Sequence, residues 1–193
     1  MWKQIVPAFR AVLLITVVTG LVYPGVVTGL AQALFHDKAN GSMVTSNGQV
    51  IGSSLIGQNF TKPEYFHGRP SAAGSGYDGM ASGGSNLGPT SQKLIDRVKG
   101  DEAAFRKDNP DYNGPIPADL LTASASGLDP EISPASAEAQ VARIAKARSV
   151  DQGALAKLVD SHVEGRDLGI LGEPRVNVLA LNLDLDKQYP VKR

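Results

Sequence analysis

The chain has 193 residues, of which 19 are basic and 19 acidic, so no global charge draws it towards nucleic acid or an acidic surface. It holds no cysteine, which excludes disulfides, thiolate metal sites and cysteine nucleophiles. Aromatic residues make up 6%, against 21 glycines and 12 prolines, a composition that predicts a loop-rich fold with a modest core.

From Ala11 to Leu34 no side chain is charged. At helical rise this stretch covers roughly 36 Å, enough to cross a hydrocarbon layer of about 30 Å. Lys3 and Arg10 precede it and the first acid is Asp37, so the positive-inside rule puts residues 1–10 in the cytoplasm, a membrane helix over 11–34 and residues 35–193 outside. Ala31-Gln32-Ala33 leaves a cleaved signal peptide as the alternative, although the apolar stretch exceeds the usual 7–15 residues of such peptides. Pro24 interrupts the span and invites a kink. Gly25-Val-Val-Thr-Gly29 is a small-xxx-small spacing, continued backwards by Gly20 and Thr16, and it predicts that within the lipid bilayer the helix packs closely against a partner helix more than it faces lipid.

With Lys3 and Arg10 set aside, the remainder carries 17 basic and 19 acidic residues, a net charge of −2. Met43–Thr45 and Val50–Ile56 read as strands around an Asn47-Gly48 hairpin turn. Leu94, Ile95 and Val98 lie on one face of a helix that Gly100 is expected to stop. A short turn is expected at Ala118–Leu121. Ser133 and Pro134 open a helix that buries Ala137, Val141 and Ile144 and exposes Arg143 and Lys146. Asp151 caps the next helix, whose core face is Leu155, Leu158, Val159 and His162. In "RVNVLALNLDLD" the leucines at 179, 181, 183 and 185 alternate with other residues, which predicts a strand pairing with the early hairpin in one mainly antiparallel sheet. The predicted class is therefore α+β, on a single membrane helix.

The stretch "SAAGSGYDGMASGGSNLGPTSQ" contains G-x-G-x-x-G at Gly74, Gly76 and Gly79. A dinucleotide site needs a strand before the first glycine and a helix starting in the motif, and the flanking residues predict neither. No G-K-[ST] follows any glycine loop, so no lysine is placed for a nucleotide's β- and γ-phosphates. A glycine-rich surface loop is the expected role. His36, His67 and His162 show no metal-ligand spacing, Glu64 and His67 supply only two candidate ligands, and His162 and Glu164 read as a helix end and a turn. Ser124 and Ser126 have no neighbouring base. Asn40 and Asn59 begin sequon-like triplets.

Four segments together, "SLIGQNFTKPEYFHGRPSA", "SGGSNLGPTSQ", "IPADLLTASASGLDPEISPASA" and "HVEGRDLGILGEPRVNVLALNLDL", resemble the C subunits of Kdp-type potassium-transporting ATPases, in that family's order and across nearly the whole chain. The resemblance implies a non-catalytic subunit of a bacterial inner-membrane complex, assembling a channel-like potassium-binding subunit and a P-type ATPase subunit. ATP and K+ would be handled by the complex. A role in ATP binding by the complex is also implied; a nucleotide-responsive regulatory subunit would use the glycine loop, with Gly83, Gly84, Ser85 and Asn86 as its contacts. A hydrolase on a membrane stalk is a third reading.

Overall fold

A computed structural model describes residues 2–46 and 48–191 of the chain. These form two units, one ending at Ser53 and the other beginning at Ser54.

The first unit is helical from Trp2 to Leu34, long and apolar enough to cross a membrane. Helix α1 (Trp2–Val17) passes into a π-helical turn (Val18–Val22) and then α2 (Tyr23–Leu34). The widened turn lies directly ahead of Pro24, which has no N–H to donate and whose ring would crowd the carbonyl four residues back. Tyr23 N–H donates five residues back to Val18 O, and the Thr19 hydroxyl donates to Ile15 O at 2.7 Å. A single helical turn, α3 (His36–Ala39), leads to β1 (Met43–Ser46) and β2 (Gln49–Ser53), which pair antiparallel with a register irregularity between Val44 and Thr45. The expected hairpin is present. Gly48 has φ +77°, while Asn47 lies outside the described residues.

The second unit begins with a long irregular segment and then α4 (Gln92–Asp108), a 3-10 turn (Ala118–Leu120) and β3 (Glu131–Ile132). Next come α5 (Pro134–Arg148), α6 (Gln152–Ser161), β4 (Val163–Glu164), β5 (Arg175–Asn177) and α7 (Val178–Gln188). Strand β5 is central, antiparallel to β3 on one side and β4 on the other. The core is built from Ile144, Leu155, Val159, Val176, Leu181 and Leu185, with Phe66 inserted from the irregular segment. Helix α5 starts as its sequence predicts, with Ser133 Oγ accepting from Ser136 N–H and Pro134 in the first turn. Asp151 likewise accepts from Ala154 N–H at the start of α6.

Three expectations are corrected. Gly100 does not end α4: no added Cβ would meet anything there, and the good helix formers after it carry the helix on to Asp108. The leucine-rich C-terminal segment is a strand only to Asn177, whose side chain accepts from Ala180 N–H and starts α7. Val178, Leu181, Asn182 and Leu185 are all buried, a helical i, i+3, i+4, i+7 stripe hidden within the two-residue alternation. The hairpin therefore pairs with itself, and the described strands form two sheets instead of one.

The third correction concerns Arg143, which is buried where the helix pattern predicted exposure. Its guanidinium donates to Pro63 O and Tyr65 O, to Asn109 Oδ1 at 3.0 Å and to Gln140 Oε1 at 2.7 Å. Gln140 in turn donates to His67 O and accepts from His67 N–H, and Asn182 does the same for Phe66. Arg148 donates to Glu64 O at 2.8 Å and pairs with Asp186. Every carbonyl from Pro63 to His67 is thus held by a side chain of α5 or α7.

Replacing Arg143 by methionine takes the donor from the buried Asn109 Oδ1 and from the half-buried Tyr65 O, each costing about 1–3 kcal/mol, and loosens the hold on Pro63 O and Gln140 Oε1. A loss of at least about 3 kcal/mol is expected in urea unfolding of the full chain in detergent, whereas Lys146→Ala on the exposed side of the same helix should stay within about 0.5 kcal/mol.

Candidate functional site

Two features carry functional readings from the sequence: the small-residue stripe of the N-terminal helix and the glycine-rich loop. An ordinary α-helix turns by about 100° per residue, which would put Thr16 and Gly25 on opposite sides. The π turn between them accommodates one extra residue, removes about 100°, and brings the two to within roughly a quarter-turn. An added Cβ at Gly20, Gly25 or Gly29 would meet no atom within 4 Å. Among the described residues nothing requires glycine at these positions. Pro24, with the turn it provokes, sets the register between Thr16–Gly20 above and Gly25–Gly29 below.

The loop from Ser71 to Ser91 is irregular and firmly tied. Ser71 Oγ donates to Gly127 O at 2.6 Å and accepts from the N–H groups of Ala73 and Tyr77. Gly76 and Asp78 N–H donate to Ala73 O, Ala81 N–H to Asp78 O and Met80 N–H to Asp78 Oδ1. Gly83 N–H donates to Ser126 O at 2.8 Å, as does the Ser82 hydroxyl at 2.9 Å. The N–H groups of Ala73, Gly76, Tyr77, Asp78, Met80, Ala81 and Gly83 are thus used within the protein, where a phosphate cradle would leave such donors pointing at its ligand. Gly84 lies so close to the second loop that a Cβ would stand 2.9 Å from Ala125 O. Gly127 combines φ +68° with a Cβ position 2.7 Å from Ala73 N. The two glycines let the "SGGSN" and "TASASG" backbones touch. Ser85 is half-buried, and Asn86 is exposed with φ +51°.

Tyr77 anchors the loop from below. Its hydroxyl donates to Arg69 O at 2.7 Å, and its ring packs directly on Gly57 and Gly68. Burial, reinforced by the Asp129 carboxylate and opposed by Arg69, pushes its hydroxyl up to about 12. Arg69 and Asp129 form an ion pair at 2.7 Å. Beside them opens a cleft of 510 Å³ lined in part by Asn59, His67, Tyr77, Asp101, Phe105 and Asn109. His67 Nε2 lies 2.9 Å from Lys62 O. Burial, then the Arg143 charge, lowers its pKa, with the Lys62 carbonyl and Asp108 opposing.

The other sequence candidates are dispersed. Ser124 and Ser126 hydroxyls contact each other at 3.1 Å and accept from Gly127 and Leu128 N–H within one turn. Glu64 contributes its carbonyl to Arg148, while His67 turns to Lys62. His162 ends α6 and lies 3.4 Å from Asp184, and Glu164 pairs with Arg175. His36 is near Asn40 in the first unit. Among the described residues no three histidine, aspartate or glutamate side chains converge as a metal site would need. Sequence reasoning missed Gln140, Arg143, Arg148 and Asn182, whose only signal was a polar residue falling on an otherwise apolar helical face.

The sequence profile of the KdpC family, described as K+-transporting ATPase, c chain, matches residues 5–187. A protein of Koribacter versatilis named Potassium-transporting ATPase KdpC subunit is 57% identical over 192 residues, covering 99% of this chain and 98% of its own. The equally named protein of Myxococcus xanthus is 56% identical over 98% of this chain and 90% of its own. That of Nitratidesulfovibrio vulgaris is 59% identical over 85% of this chain and 84% of its own.

Two outcomes test the local geometry. Gly84→Ala and Gly127→Ala should each cost about 2 kcal/mol or more in chemical unfolding, since backbone must move, while Gly79→Ala, with open space around it, should be near neutral. His67 has a folded-state pKa below its unfolded value, so its contribution is complete above about pH 6.5 and is lost as pH falls. Thermal midpoints of the full chain should therefore drop as pH falls below about 6.5, and His67→Gln should flatten that slope.

Proposed function

The chain belongs to the KdpC family, and from that premise we propose that it is the accessory, non-catalytic subunit of a potassium-uptake ATPase, acting as an assembly clamp. Its N-terminal helix packs by Thr16, Gly20, Gly25 and Gly29 against helices of its partners, a channel-like potassium-binding subunit and a P-type ATPase subunit, in the bacterial inner membrane. Pro24 keeps those residues in register through the π turn. The N-terminus is cytoplasmic and residues 35–193 are outside, because Lys3 and Arg10 precede the uncharged stretch and Lys38 alone, beside Asp37, follows it closely.

The observation that carries this reading is the open space at Gly20, Gly25 and Gly29. Glycine in a helix interior costs about 1 kcal/mol relative to alanine, and no contact among the described residues offsets it. Close approach by a second helix does.

ATP and K+ are handled by the partners in this reading. The Gly83–Asn86 loop is assigned to joining two segments of the domain, because the neighbouring N–H groups already donate within the protein and Gly84 is needed for backbone contact. Any effect of this subunit on ATP binding then passes through assembly of the complex.

Replacing Gly25 and Gly29 by leucine should reduce recovery of the intact complex in mild detergent by tenfold or more, with the chain still inserted and the domain's unfolding unchanged. Recovery at the wild-type level would remove the helix clamp from the proposal.

A further inference from the structure

Between β4 and β5 the chain turns through Arg166–Glu173, "RDLGILGE", and presents Leu168, Ile170 and Leu171 to solvent at 89%, 76% and 56% exposure. These side chains project from a braced loop. Asp167 and Leu171 exchange both backbone hydrogen bonds, at 2.8 and 2.9 Å, and Arg166 closes the stem on Glu173 at 2.7 Å. Arg175 ties the base to Glu131, Glu164 and Asp167. At the tip Leu168 has φ +54°, a conformation that a bulky side chain adopts only against a steric cost. A rigid scaffold therefore holds a leucine in a strained backbone so that it points into water. Strain retained at an exposed apolar tip is a mark of function, because folding alone would be served better by glycine or asparagine there.

We propose that this loop is the wedge by which the domain docks into an apolar groove with a basic rim on another subunit of the complex; it rests on the subunit reading above. The surrounding charges select that occupant. Two arginines stand against four carboxylates around the three aliphatic side chains, so the rim is acidic overall. An anionic lipid surface would be repelled, and the loop has neither the lysines nor the aromatic residues that hold a segment at a bilayer interface. A second copy of this chain meeting it loop to loop would bring like charges together. A protein groove with an apolar floor and lysines or arginines at its edge satisfies both parts of the surface.

The test is made on the tagged full chain expressed with its partner subunits. Leu168→Asn combined with Ile170→Asp removes the apolar tip, and asparagine also suits the left-handed backbone at 168. Recovery of partner subunits is expected to fall at least tenfold, while the thermal midpoint of the chain in detergent stays level or rises; Met80→Asp, at an equally exposed apolar position elsewhere, should leave both unchanged. Partner recovery unchanged in the double variant overturns the loop proposal and leaves the subunit reading intact. A wild-type chain that recovers no partner overturns both. A photo-crosslinking amino acid in place of Ile170 should give an adduct with a larger subunit of the complex, and adducts confined to lipid or to a second copy of this chain would overturn the assignment.

Discussion

The domain depends on one device: an irregular segment, turned at Pro63–Glu64, whose carbonyls have no strand beside them. Backbone carbonyls buried without partners are among the costliest defects a fold can contain, and sheets normally satisfy them by pairing. From Pro63 to His67 the partner is a row of side chains instead. Gln140 and Asn182 each present an amide that donates and accepts like a peptide group, and Arg143 and Arg148 fill the intervening positions. Phe66, fixed between the two amides, is delivered into the hydrophobic core with no exposed surface. This gives the long irregular segment a defined path, and the glycine-rich loop begins only a few residues beyond it.

Much of the architecture was legible in the sequence because its signals are local. Ser133-Pro134 and Asp151 marked helix starts, and the uncharged stretch before Phe35 marked the long apolar helix. Where reasoning failed, two physical patterns overlapped. Leucines spaced by two satisfy a strand, yet with Asn177 as a cap and helix-favouring residues behind it the same letters make α7. Arg143 was misjudged because charge usually means solvent, and only the tertiary fold brings Pro63, Tyr65 and Asn109 to its guanidinium.

The glycines show how little a motif says without its surroundings. G-x-G-x-x-G at Gly74–Gly79 has the letters of a phosphate loop and the wrong neighbours on both sides. In the fold, the close approaches that demand glycine are between protein and protein: Gly84 against Ala125, Gly127 against Ala73, and Gly68 beneath the Tyr77 ring. The helix glycines differ in kind, since no contact among the described residues accounts for them. Family membership assigns the chain to an accessory subunit, and this contrast fits the association role proposed above.

The amide and guanidinium lacing around Phe66 has a consequence for the conditions the domain can withstand. Carboxamides do not ionise in water, and burial, which pulls Arg143 down to about 10, still leaves it fully cationic in neutral or acidic surroundings. A segment fastened by carboxylates would come undone as the medium soured. This one keeps its amide and guanidinium bonds to the Pro63–His67 carbonyls as the medium sours, even while protonation of His67 lowers the stability of the domain around them.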